Sequence, residues 1–81
     1  MHLEIITPDK SVFSGEVTIA TFPGTKGSFQ VLTNHAPLIS TLERGRVSFR
    51  TNEGERSMVV DGGVVEVLNN NIVVLAEAIV A

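Results

Sequence analysis

Val47-Ser48-Phe49-Arg50-Thr51-Asn52-Glu53-Gly54 decides the fold class. Val47, Phe49 and Thr51 share one parity and Ser48 and Arg50 the other, which is the alternation of a strand with one buried face. Asn52-Glu53-Gly54 then supplies a short hairpin loop, with glycine free to take the left-handed backbone. Arg56 to Val60 returns as the next strand.

The same grammar extends outward. Downstream, Asp61-Gly62-Gly63 reads as a turn, Val64 to Leu68 and Ile72 to Leu75 as a hairpin around Asn69-Asn70-Asn71, and Glu77 to Val80 as a closing strand. Upstream, Leu38 to Leu42 is an apolar segment that Gly45 separates from the Val47 strand. His2 to Thr7 alternates, with Leu3 and Ile5 on one face and Glu4 and Ile6 on the other. Pro8-Asp9-Lys10 is turn chemistry. Val12 to Phe22 reads as one long strand, bent at Gly15 so that it serves two sheets. No window carries a capped helical period. We expect an all-β fold of eight to ten short strands, a flattened β-sandwich or barrel of two sheets about 10 Å apart. Phe13, Val17, Val47, Phe49, Val65, Val67 and Val74 are the expected core.

The totals narrow the function. A chain of 81 residues is read as one domain spanning 1–81. It has no cysteine, so a disulfide framework and a Cys-based metal or redox site are excluded. A net charge of −3 argues against nucleic acid as a partner. No apolar run reaches the ~18–20 residues of a membrane span, so direct insertion is not expected. A 43% hydrophobic content without Trp or Tyr points to an aliphatic, strand-forming core.

One segment departs from plain strand grammar. Gly24 to Pro37 opens on a glycine-bounded turn, passes through Phe29, Val31 and Leu32, and closes on Asn34-His35-Ala36-Pro37. Asn tolerates the left-handed backbone, and the residue before proline is pushed away from helix. This shaped segment is the best candidate for a working surface. His35 lacks the convergent ligands of a metal site and the nucleophile of a catalytic one, so it reads as a structural or interface residue. His2 reads as a solvated end. Gly24-Thr25-Lys26-Gly27 is a turn with a solvated lysine, since neither a phosphate loop nor an RNA clamp has its flanking helix here. Phe29 is either a local core plug or a docking anchor, and core packing is the commoner fate of a large apolar side chain. Pattern alone therefore yields a binding or structural module with no cofactor, no metal and no catalytic residue.

Phe13-Ser14-Gly15-Glu16-Val17, Pro23 to Gly27, His35-Ala36-Pro37-Leu38, Gly62 to Val67 and Asn71 to Glu77 occur in this order. Together they resemble the N-terminal domain of the epsilon subunit of F-type ATP synthases, called delta in mitochondria. The resemblance covers nearly the whole chain. It implies a ten-stranded sandwich on the central rotor, bound to the gamma subunit and resting on the c-ring. There it would help to couple ion flow to ATP synthesis while catalysing nothing itself. It implies a peripheral place on the cytoplasmic face of a bacterial inner membrane. It assigns Ser28, Phe29, Gln30, Val31, Thr33, Asn34 and His35 to the c-ring contact and Thr7 and Ser40 to the gamma contact. Three positions depart from the family's habit, which favours an acidic residue at Ser28, glycine at Gln30 and proline at Thr33. A ring contact would therefore lean on hydrogen bonds and on Phe29. Members commonly continue into a helical hairpin where this sequence stops at Ala81, and we expect a short form without that hairpin. The rival readings are a lipoyl or biotinyl carrier domain and a small β-barrel enzyme. The first needs a modifiable lysine at a mid-chain hairpin tip with flanks that Lys10 and Lys26 lack. The second needs a convergent polar set.

Overall fold

The computed structural model describes residues 1–80, which contain seven strands and no helix. The strands are β1 (His2–Ile6), β2 (Ser11–Glu16), β3 (Ile19–Gly24), β4 (Gly27–Leu32), β5 (Leu38–Thr51), β6 (Gly54–Leu68) and β7 (Asn71–Ala76). They form one sheet in the order β2-β1-β7-β6-β5-β3-β4. Its pairs are antiparallel except β1 with β7.

The all-β expectation holds, but the count and the two separate sheets are corrected. Leu38–Leu42 and Val47–Thr51 are one strand, as are Arg56–Val60 and Val64–Leu68. Glycine read as a chain breaker serves here to bend a strand. Gly62 and Gly63 take φ of 80° and 143° inside β6 without interrupting its pairing with β5. Gly45 sits against Pro23, whose Cβ would lie 2.7 Å from any added methyl group. At both bends the buried parity flips. Leu42 is buried in the first half of β5, and Val47 and Phe49 in the second. Met58 and Val60 are buried in the first half of β6, and Val65 and Val67 in the second. Each long strand thus lends one face to each layer, and a single sheet folds across itself into a sandwich.

Two further expectations change. The long strand expected over Val12 to Phe22 is two strands, interrupted at Val17-Thr18 rather than bent at Gly15. The interruption also reverses parity, so Ala20 and Phe22 are buried while Ile19 and Thr21 are only partly covered. Glu77 to Val80 forms no regular strand but runs antiparallel to β6, bridging at Val60 and Ile79 and exchanging backbone hydrogen bonds with Gly62, Asp61 and Val59.

The interior is one apolar cluster shared by both halves, with no buried polar side chain among the described residues. Six of the seven expected core residues are buried. Phe13 is half-buried and stacks on Phe49 with ring centroids 4.5 Å apart, bringing β2 over β5. The Arg56 guanidinium covers both rings, at 5.1 and 5.9 Å from their centroids, and closes that end of the core. The molecule is 18 Å thick in its shortest dimension, which fits two layers and their outer side chains.

Candidate functional site

The Gly24–Pro37 segment supplies the tip and the edge strand of the β3–β4 hairpin at one free edge of the sheet, followed by a loop. β3 and β4 pair from Ile19↔Leu32 to Gly24↔Gly27, leaving Thr25-Lys26 at the tip. Gly27 takes a φ of 124°, which an L side chain resists. The tip is fastened to β5, since the Thr25 amide donates to the Thr41 carbonyl at 3.0 Å and the two hydroxyls lie 2.7 Å apart.

Strand alternation sorts the residues expected at the c-ring contact. Ser28 and Gln30 point outward and are exposed, as is Leu32, which the sequence reading did not select. Phe29 points inward and is half-buried against Phe22, at a centroid distance of 5.6 Å. Val31 is fully buried, so its assignment as a contact side chain is corrected: it belongs to the core. Parity alone predicts this once Phe29 is taken as inward.

Beyond β4, Thr33 and Asn34 are exposed and His35 is half-buried. Asn34 adopts a φ of 67°, and the His35 amide donates to the Leu32 carbonyl at 3.1 Å, closing the turn. His35 Nδ1 lies 2.7 Å from the Ala36 carbonyl oxygen, an atom that only accepts, so Nδ1 carries the proton. In the neutral ring Nε2 is then left as an acceptor for an incoming group. Lys26, Ser28, Phe29 and His35 line one open groove with Leu38 and Ser40 at the start of β5.

Ser40 therefore lies with the groove. Its side chain is on the inward parity of β5, and its hydroxyl donates to the Thr41 carbonyl at 3.0 Å. Thr7 lies elsewhere, beside Ile6, Pro8 and Leu75, with its hydroxyl turned to Lys10. The structure does not bring these two residues together. The side chain of His2 is exposed as read but has neighbours on the sheet surface: Nδ1 lies 3.3 Å from Glu16 Oε2 and Nε2 3.2 Å from Ser14 Oγ. Among the described residues no group of three His, Cys, Asp or Glu side chains converges as a metal site would require.

Thr7 marks the rim of a second feature. The half of the sheet made by β1, β7 and the adjoining halves of β6 and β5 has an outer face rich in exposed apolar side chains, with Glu4, Glu66 and Thr41 among them. Its registers run Ile6–Leu75–Val64–Thr41 and Glu4–Val73–Glu66–Ile39 across the strands. Ile39, Leu75 and Val64 are 70%, 54% and 38% exposed. The signal was present in the sequence, because Ile5-Ile6 and Val73-Val74-Leu75 are apolar on both parities, the mark of a strand covered on both faces. The outer face of the other half carries Leu32 at its β4 edge but is polar over β5 and the first half of β6, where side chains pair with one another. Arg46 donates to Ser57 Oγ at 2.9 Å, and Arg50 lies 3.5 Å from Glu55.

The family described as ATP synthase, Delta/Epsilon chain, beta-sandwich domain matches residues 1–81. The ATP synthase epsilon chain of Nitratidesulfovibrio vulgaris is 42% identical over 78 residues, covering 96% of this chain and 58% of that protein. That of Pelotomaculum thermopropionicum is 45% identical over 77 residues, covering 95% and 58%. The chain thus spans little more than half the length of these relatives. Among solved structures, a chain of the Euglena gracilis mitochondrial ATP synthase in an OSCP/F1/c-ring assembly aligns with a TM-score of 0.88 at 21% identity, covering 96% of this chain and 51% of that one. A chain of the Tetrahymena thermophila mitochondrial ATP synthase central stalk and c-ring aligns at 0.83 with 15% identity, covering 98% and 64%. At these identities the structural likeness speaks to the fold, whereas the match along all 81 residues speaks to descent. This chain belongs to the beta-sandwich domain family of the ATP synthase delta/epsilon chains.

Proposed function

We propose that this chain is a single β-sandwich domain that serves as a non-catalytic element of the central rotor of an F-type ATP synthase. It docks on the gamma subunit and meets the c-ring, and so helps to couple ion translocation to ATP synthesis. Its place is peripheral, on the cytoplasmic face of a bacterial inner membrane, held there through the complex. The observation that carries this reading is the uncovered apolar outer face around Ile6, Leu75, Val64 and Ile39. A monomer leaves these large apolar side chains open to water at a cost, and a stable partner removes that cost. Thr7 sits at its rim, so this face is assigned to gamma. The groove with Ser28, Phe29 and His35, together with Gln30, Thr33 and Asn34 around it, is assigned to the polar loops of the c-ring. Ser40 goes with this second surface. The family match speaks against the carrier-domain reading. Co-purification with isolated gamma and with detergent-solubilised c-ring tests the assignment. Retention by both is expected, and passage through both columns unbound contradicts it.

A further inference from the structure

The loop after β4 and the turn between β6 and β7 lie at the same end of the sheet, since Leu38 pairs with Val67 and Leu68 with Asn71. A reciprocal pair of hydrogen bonds joins them. The Asn34 amide donates to Asn70 Oδ1 at 2.7 Å, and Asn70 Nδ2 donates back to Asn34 Oδ1 at 3.1 Å, across 36 positions of sequence. Both residues hold the left-handed backbone, with φ of 67° and 61°. Asn69, at φ 51°, completes a two-residue turn of the kind that favours asparagine or glycine. Glycine would satisfy either backbone as well, so turn geometry alone does not require an amide side chain at both positions. The reciprocal bonding does. Asn70 is itself held from behind, because its carbonyl accepts from the His2 amide at 2.9 Å. The loop that carries His35 is thereby tied through Asn70 to β1.

We infer that Asn70 is a positioning residue for the groove end of the molecule: its side chain clasps Asn34 and holds the Thr33–Pro37 loop, and His35 with it, in the orientation that meets the partner. The role rests on the proposed contact of this end with the c-ring. A loop ordered in advance does not lose that freedom on binding, so the clasp strengthens a contact in which Asn70 itself takes no part.

Asn70→Gly is the suitable variant, because it preserves the left-handed turn and removes only the amide. In the full chain, exchange of the Asn34 amide hydrogen should quicken about tenfold, while the Val65 and Val74 amides keep their protection. Asn70→Asp, which retains an acceptor for that amide, should restore much of the protection. In the assembled rotor, a photoreactive amino acid at position 33 should cross-link to the c-ring about threefold less in the Asn70→Gly background. Unchanged exchange at Asn34 would show that the clasp does not hold the loop. Faster exchange with an unchanged cross-link would show that the clasp does not position it. If the chain with Asn70 intact gives no cross-link to the ring, the ring assignment fails and this role for Asn70 fails with it. The exchange data would then still report on the clasp alone.

Discussion

The two outer faces of this one sheet differ in almost everything except the core behind them. Around Ile6, Leu75 and Val64 the outward side chains are apolar, and Val73 and Ile39 extend that surface between Glu4, Glu66 and Thr41. Around Arg46, Ser48, Arg50, Ser57 and Glu55 the strands alternate, and Arg46 pairs with Ser57 and Arg50 with Glu55. Burial of the inward parity is sufficient to fold both halves, so the apolar outward parity of the first half is surplus to folding. An isolated protein gains nothing from leaving Leu75 and Ile39 in water. The difference teaches where a partner belongs, and it does so without any reactive group.

Both halves share one interior, and the largest expected effect is at its centre. Phe49 touches Phe13 from β2 and belongs to the cluster that includes Leu3 and Ile5 of β1. Phe49→Ala should lower stability by about 3–5 kcal/mol in urea unfolding, as a single transition. Two separable transitions would break the picture of one sheet folded over a common core. The bend in β6 that separates the faces gives a smaller effect. A Cβ on Gly63 would run into the Leu75 carbonyl oxygen at a φ of 143°, so Gly63→Ala should cost about 2–3 kcal/mol. Gly54 has a similar φ of 123° but open space around it, so Gly54→Ala should cost only about 1 kcal/mol. Equal losses at the two sites would mean that close packing at the bend is unimportant.

Much of this was legible in the sequence where local chemistry and tertiary outcome agree. The Val47–Thr51 alternation folds as it reads, and hairpins form at Asn52-Glu53-Gly54 and at Asn69-Asn70-Asn71, with Gly54 and Asn71 already paired as the first residues of β6 and β7. Gly62-Gly63 shows why the rest was not. Positive-φ glycines look alike in a turn and in a bulged strand, and only the pairing of Gly63 with Leu42 and Ala76 distinguishes them. Val17-Thr18 carries no turn residue, so the break and parity switch there have no local sign. The candidate site was partly legible. Asn34 and His35 stood out by their turn chemistry. Val31 was included with its neighbours although strand parity places it inside. Asn70 was read as a turn residue alone, because a hydrogen bond to Asn34 across 36 positions leaves no trace in either segment.

The most direct measurement is a binding titration against isolated gamma of two variants that each add one carboxylate, one per face. Leu75 and Ser48 both point outward, so neither change disturbs the interior, and both variants should keep stability within about 1 kcal/mol of the parent. Leu75→Glu should weaken binding at least about tenfold, since it places a charge in the apolar contact. Ser48→Glu should leave the affinity unchanged. Equal affinities for the two variants, or a loss confined to Ser48→Glu, would contradict the assignment of the apolar face as the docking surface.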